Sequence, residues 1–207
     1  MCGHSYKRNC ITRGAPVFDI LPAMKHHRTA LFLGTAILVA MAARAADAPT
    51  VAKLYDGSIS AVERDLVPLV EAMPAAKFSF APTAGEFKGV RTFAEQAKHA
   101  ARAIYMAASG ALGEKPPVDV GSTENGPASV QSKEQIVQFL KGAFVYAHKA
   151  ALSLTAANQT EPMKSPWGDG QVAKGSLVSI VAWHSSNHYG QMVVYARMNG
   201  VIPPASR

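Results

Sequence analysis

Four stretches of the chain carry apolar residues at the three-and-four spacing of an α-helix, and none sustains the every-second-residue alternation of a half-buried strand. That pattern restricts the fold to helices packed on helices. The first stretch, about Val51 to Met73, places Tyr55, Val62, Leu66, Leu69, Val70 and Met73 on one side. Pro68 lies inside it, and a proline there removes one backbone hydrogen bond and crowds the preceding turn, which predicts a kink or break near Arg64 to Val67. The second, about Val90 to Leu112, aligns Val90, Phe93, Ala97, Ala101, Ile104 and Ala108 and ends at Gly113, a residue suited to the left-handed closing position. The third opens on the capping pair Ser132 and Gln135 and runs to about Ala156, with Ile136, Leu140, Ala143, Phe144, Ala147, Ala151 and Leu154 inward. The fourth, about Gly175 to Asn199, is stopped by Gly200 and then Pro203-Pro204, while Arg197 in its last turn complements the helix C-terminus.

The connectors Pro74 to Gly89, Glu114 to Ser132 and Ala157 to Lys174 are rich in proline and glycine, so they are loops. Four long helices with extended connections predict an all-α four-helix bundle with long crossover connections. No internal repeat or low-complexity tract interrupts it.

The bundle occupies residues 46–207, and what precedes it reads differently. From Met24 the chain runs Met-Lys-His-His-Arg, then an uncharged stretch from Thr29 to Ala43, then Ala43-Arg44-Ala45 before Ala46. A positive segment, a short apolar stretch and an A-x-A site are the parts of a secretory signal peptide, predicted here at residues 24–45 with removal after Ala45. The run falls short of the roughly twenty apolar residues that span a bilayer, so no stable membrane span is expected once it is removed. Residues 1–23 resemble neither signal nor domain and read as an upstream extension before a true start at Met24. The formal net charge is +7, but the first 45 residues hold six Lys/Arg against one acidic residue and the rest fifteen against thirteen. The bundle is therefore close to neutral, without the basic cluster that a nucleic-acid partner requires. Cys2 and Cys10 both precede it, which excludes a disulfide framework, a thiolate nucleophile and Cys-ligated zinc from the bundle itself. The expected location is periplasmic or secreted.

Four histidines remain: His99, His148, His184 and His188. On the fourth stretch the inward positions read Leu177, Val181, His184, His188, Gln191, Tyr195, so two imidazoles stand where the period calls for apolar residues. Side chains four apart share a helix face and can reach one metal ion. The pair is equally compatible with two hydrogen-bonded core histidines. Ser185 occupies the position that a zincin protease reserves for its glutamate, which excludes that chemistry. A further ligand must come from another helix, from His99 or His148. Periodicity decides for neither: His148 is at the rim beside Phe144, and His99 lies nearly opposite the Phe93/Ala97/Ile104 stripe, alongside Glu95 and Met106.

Three sequence pieces in order resemble the DinB/YfiT-like family of four-helix metalloproteins. They are Met73-Pro74 leading through Phe78 and Phe80 to Pro82; Thr92-Phe93-Ala94-Glu95 leading to His99; and His184-Ser-Ser-Asn-His188-Tyr-Gly190-Gln191 followed by Arg197-Met-Asn-Gly200-Val-Ile-Pro203-Pro204. The resemblance implies a divalent metal held by His99, His184 and His188, with His148 a bystander. The chain departs from the family pattern at Gln96, where an apolar residue is usual, and in its export signal, which is unlike the family's cytoplasmic members.

Three neutral imidazoles leave at least one position on an ion free for water, the arrangement of catalytic zinc sites. Zinc is the first expectation, and nickel, cobalt, iron or copper also suit nitrogen ligands. Candidate helpers are Gln191 and Tyr195 beyond His188, Asn187 beside it, and Glu95 as a base; each has an ordinary structural alternative, a helix-to-helix hydrogen bond for Gln191 and a solvated charge for Glu95. Trp167 and Trp183 either line a pocket mouth or pack in the core. These features lead to an exported metal-dependent hydrolase of a small substrate. Alternatives are a non-enzymatic metal- or ligand-binding envelope or stress protein, a thiol-dependent transferase, and a purely structural bundle. The partner expected is a small molecule, with a homodimer admitted.

Overall fold

The computed structural model describes residues 49–207, and the expected signal peptide and upstream extension lie outside the described residues. Helix α1 spans Val51–Ala72, capped by Thr50, whose hydroxyl accepts from the Lys53 amide. Of the kink or break expected at Pro68, a break does not occur, the helix running on through it. One proline costs a helix about 3 kcal/mol, whereas Leu66, Val67, Leu69 and Val70 on either side are all buried, each contributing roughly 1.5–3 kcal/mol. Packing outweighs the local penalty.

Helix α2, Phe93–Leu112, begins three residues later than the Val90 stripe suggested, and Val90 is exposed. Its start is set by a capping box, in which the Thr92 hydroxyl accepts from the Glu95 amide and the Glu95 carboxylate accepts from the Thr92 amide. The next two orphan donors, the amides of Phe93 and Ala94, reach back to the carbonyls of Phe80 and Phe78. Phe78 then packs edge-on against Phe93, so the aromatic connector fixes where α2 enters the bundle. The helix closes at Gly113 with φ +69°.

Helix α3, Lys133–Leu152, opens on the expected Ser132/Gln135 box, ends short of the expected Ala156 and buries six of the seven residues assigned inward, the seventh, Leu154, being buried just past its end. Before helix α4, Lys174–Met198, the third connector forms a short antiparallel hairpin of β1, Pro162–Lys164, and β2, Gln171–Ala173. Strands of three residues are too short to show an alternation in sequence. Because β2 runs directly into α4, the helix lacks a side-chain cap. The carbonyls of Glu161 and Gln159 accept from its first amides instead. Past Gly200, a 3-10 turn at Pro204–Ser206 is tied to Arg197, the basic residue of the last turn of α4, whose guanidinium donates to Ser206.

In the bundle, α2 packs between α3 and α4, and α1 closes the ring against the same two helices from the opposite corner. Consecutive helices α1 and α2, like α3 and α4, therefore sit across the diagonal, which is why residues 73–92 and 153–173 are long crossovers. Leu66, Leu69, Phe93, Ile104, Leu140, Phe144, Leu177 and Met192 fill the centre. Helix α2 buries two faces, one towards α3 and one towards α4, and Ala97, Ala100, Ala101, Ala107, Ala108 and Ala111 let both neighbours approach closely. Among the described residues no helix is long and apolar enough to cross a membrane.

Candidate metal centre

Where α2 faces α4, His99, His184 and His188 converge, with one ligand-capable nitrogen from each within 4.8 Å of the others. Their ring centroids are 5.2, 4.7 and 4.5 Å apart. The second buried face of α2 explains His99: it is off the Phe93 stripe yet only 6% exposed, because it belongs to the face that meets α4.

Each outward nitrogen of two of these rings has an acceptor. His99 Nδ1 lies 2.6 Å from the Glu124 carbonyl oxygen, and His188 Nδ1 lies 2.6 Å from Gln96 Oε1. Both rings are thereby held as Nδ1–H donors, with Nε2 lone pairs directed into the centre. The chain continues outward, Gln96 Nε2 donating to Gln191 Oε1 and Gln191 Nε2 to Asn187 Oδ1. Inside, His99 Nε2 and His184 Nε2 stand 3.2 Å apart. Nitrogens bound at about 2.05 Å to a tetrahedral zinc ion lie about 3.3 Å from one another, so the His99/His184 pair has the spacing of two zinc ligands and the group of three could hold a divalent ion.

The electrostatics keep the imidazoles in the ligand form. Burial lowers the pKa of His99, partly opposed by the Glu124 carbonyl, and Arg91 lowers it further. Burial followed by the neighbouring His99 lowers that of His184. For His188, burial and then the two other histidines bring it down to about 3. Neutral rings offer lone pairs to a cation without first losing a proton.

The model of the DinB superfamily matches residues 58–192, well over half of the chain. The chain belongs to the DinB superfamily. No curated protein matches it. The crystal structure of a DinB-like protein from Bacillus cereus ATCC 10987 matches at a TM-score of 0.57 and 19% identity, covering 72% of this chain and 93% of that one. At that identity the likeness speaks for the shared fold, in accord with the four helices described above.

In this DinB-superfamily protein the other sequence candidates take distinct places. His148 is away from the centre, its Nδ1 on Asp56 and its Nε2 on Glu63, both from α1. Gln191 makes the helix-to-helix bond, and through Gln96 it also steadies His188. Tyr195 is buried, donates its hydroxyl to the Arg91 carbonyl and packs edge-on against Phe80. Glu95 is neither free nor simply solvated: one carboxylate oxygen serves the Thr92 cap and the other accepts from Asn125. Trp167 and Trp183 are exposed and line a cavity together with His99 and His184.

Two residues to which the sequence reading gave no role at the centre, Gln96 and Glu124, support its histidines. Gln96, at the position where the family pattern expects an apolar side chain, is 3% exposed and holds His188. Glu124 comes from the second connector, which carries no periodic signal. Its carbonyl holds His99, and its carboxylate pairs with Arg102 at 3.2 Å. The connector is seated by a close fold-back. Gly121 and Gly126 both have φ +78°, and a side chain on Gly121 would meet the Gly126 carbonyl carbon at 2.5 Å. Lys98 then donates to the Pro127 carbonyl, and Asn125 bridges Arg91 and Glu95. Of these only Thr92-x-x-Glu95 had a recognisable sequence signature.

Proposed function

We propose that this DinB-superfamily protein is an exported, zinc-dependent hydrolase of a small substrate, with His99, His184 and His188 as the metal ligands. The observation that carries the reading is the three-nitrogen donor set opening onto a cavity lined by two of its own histidines. Among the described residues that metal-capable group has three members, fewer than a closed structural site uses. Export rests on the charge, apolar stretch and A-x-A pattern of residues 24–45.

The chemistry that a divalent ion supplies there is Lewis acidity toward a carbonyl oxygen or water. The protein's own groups do the rest. Hydrogen bonds from His99 to the Glu124 carbonyl and from His188 to Gln96 fix both rings in the ligand tautomer. The Glu124 carboxylate, paired with Arg102 at 3.2 Å, stands 3.5 Å from the outward Nδ1 of His99 and so supports that ligand from behind.

The test begins with protein purified without a histidine tag. One equivalent of zinc is expected by elemental analysis, with its loss in His188→Ala. Turnover of a panel of small esters and amides is then expected from the zinc-loaded protein and to be lost together with the metal in His188→Ala. Absence of stoichiometric metal sinks the proposal. Bound metal with no turnover in any ester or amide would instead favour a non-enzymatic metal-binding protein.

A further inference from the structure

The cavity beside the histidines measures about 180 Å³ and is walled by Ala103, Glu124, Ile180, Trp167 and Trp183 with His99 and His184. A cavity of roughly 150 Å³ holds one benzene ring, and drug-sized ligands take about 300 Å³ or more. One ring therefore fits. The two indoles are 44% and 58% exposed, come from separate elements and line one space. Trp167 is presented by the turn of the β1–β2 hairpin, which is closed by the Ser165 amide donating to Gly170 and by the Trp167 amide donating to Ser165 Oγ. Trp183 stands next to a ligand in the chain, its ring perpendicular to His184 at 5.5 Å. Ala103 on α2 contributes only a methyl to the wall, and Ile180 on α4 supplies an apolar side.

We infer that this cavity is the substrate subsite and that it selects compounds with a single aromatic ring bearing a metal-binding carbonyl or anionic oxygen. The inference rests on the metal reading above. The ring lies between two indoles, which favour aromatic faces and edges over aliphatic groups of similar area, and the oxygen end meets the histidines. A larger compound would have to place the rest of its length outside, since the cavity is open to solvent.

Zinc-loaded protein is titrated by calorimetry with benzohydroxamate and with acetohydroxamate, which share the chelating group and differ in the ring. At least tenfold tighter binding of benzohydroxamate is expected, reduced about five- to tenfold in Trp167→Ala and in Trp183→Ala. Acetohydroxamate is expected to bind all three proteins alike. Trp167, on a surface hairpin, is the safer variant for folding, and unchanged zinc content in it separates ring recognition from damage to the centre. Equal affinities for the two probes with zinc bound overturn the aromatic subsite and leave the metal reading standing. A chain that holds no zinc overturns both.

Discussion

Gln96 shows how much one side chain can carry. An amide stands, nearly sealed from solvent, at a helix position that the family pattern fills with an apolar residue, and its two ends face different partners, His188 and Gln191. Leaving a buried histidine N–H without its acceptor costs about 1–3 kcal/mol, and partners of metal-bound histidines typically tune affinity ten- to a hundredfold. Gln96→Leu is therefore expected to keep the helical content and weaken zinc about tenfold or more in a chelator competition, with Gln96→Glu restoring part of it through a carboxylate oxygen. Unaltered affinity in Gln96→Leu would show that His188 needs no orientation. The sequence marked this position as a departure but not as a contact, because the partner lies on α4, 92 residues away. His184 and His188 were legible because a polar pair interrupted an apolar stripe. His99 was legible only through the motif, since α2 buries two faces and a single stripe misplaces it.

At the scale of elements, the capped helix ends were readable, the start of α2 and the end of α3 were displaced by three and four residues, and the connectors were not readable. Ser132 with Gln135 and Gly113 or Gly200 at the closing positions are local chemistry, confined to a few residues. The Thr92/Glu95 box is equally local, and it bears on the centre because it sets the register in which α2 presents Gln96 and His99. Thr92→Ala is expected to cost about 1 kcal/mol, a fall of roughly 3 °C in the thermal midpoint for a domain of this size, followed by differential scanning calorimetry. No change would mean that the Phe78 and Phe80 carbonyls alone define the helix start. The connector of residues 113–132 was read only as a loop lacking periodicity. Its hold on His99 depends on tertiary contacts of Glu124, Asn125 and Pro127 with α2, and no short-range pattern encodes those. The proline break in α1 was expected on local grounds and is absent because packing on both sides outweighs it.

Across the whole molecule, His148 ties α3 to α1 through Asp56 and Glu63, at 2.6 and 2.9 Å. Burial pulls its pKa down, but the bonds to Glu63 and Asp56 together outweigh burial and hold it above the ordinary value. Because the folded chain binds this proton more tightly than the unfolded one, the contribution is complete below about pH 6.5 and is lost as pH rises through the raised value. His148→Ala is accordingly expected to lower the thermal midpoint more at pH 6 than at pH 9, by an amount of about 1 kcal/mol or less for a partly exposed ion pair. A mutant whose deficit is the same at both pH values would show that the ring acts by packing alone. The family match and the architecture were within reach of the sequence, since four stripes and two long crossovers admit few arrangements. The ring order was not, because nothing in a stripe says which neighbour it meets. That order has a kinetic consequence. His99 and His184 are 85 residues apart along the chain and share a helix interface only after a diagonal crossover has closed. Loops of that length close late relative to helix formation, so capture of a chromophoric cobalt ion during refolding should lag the far-ultraviolet signal and serve as a clock for completion of the bundle.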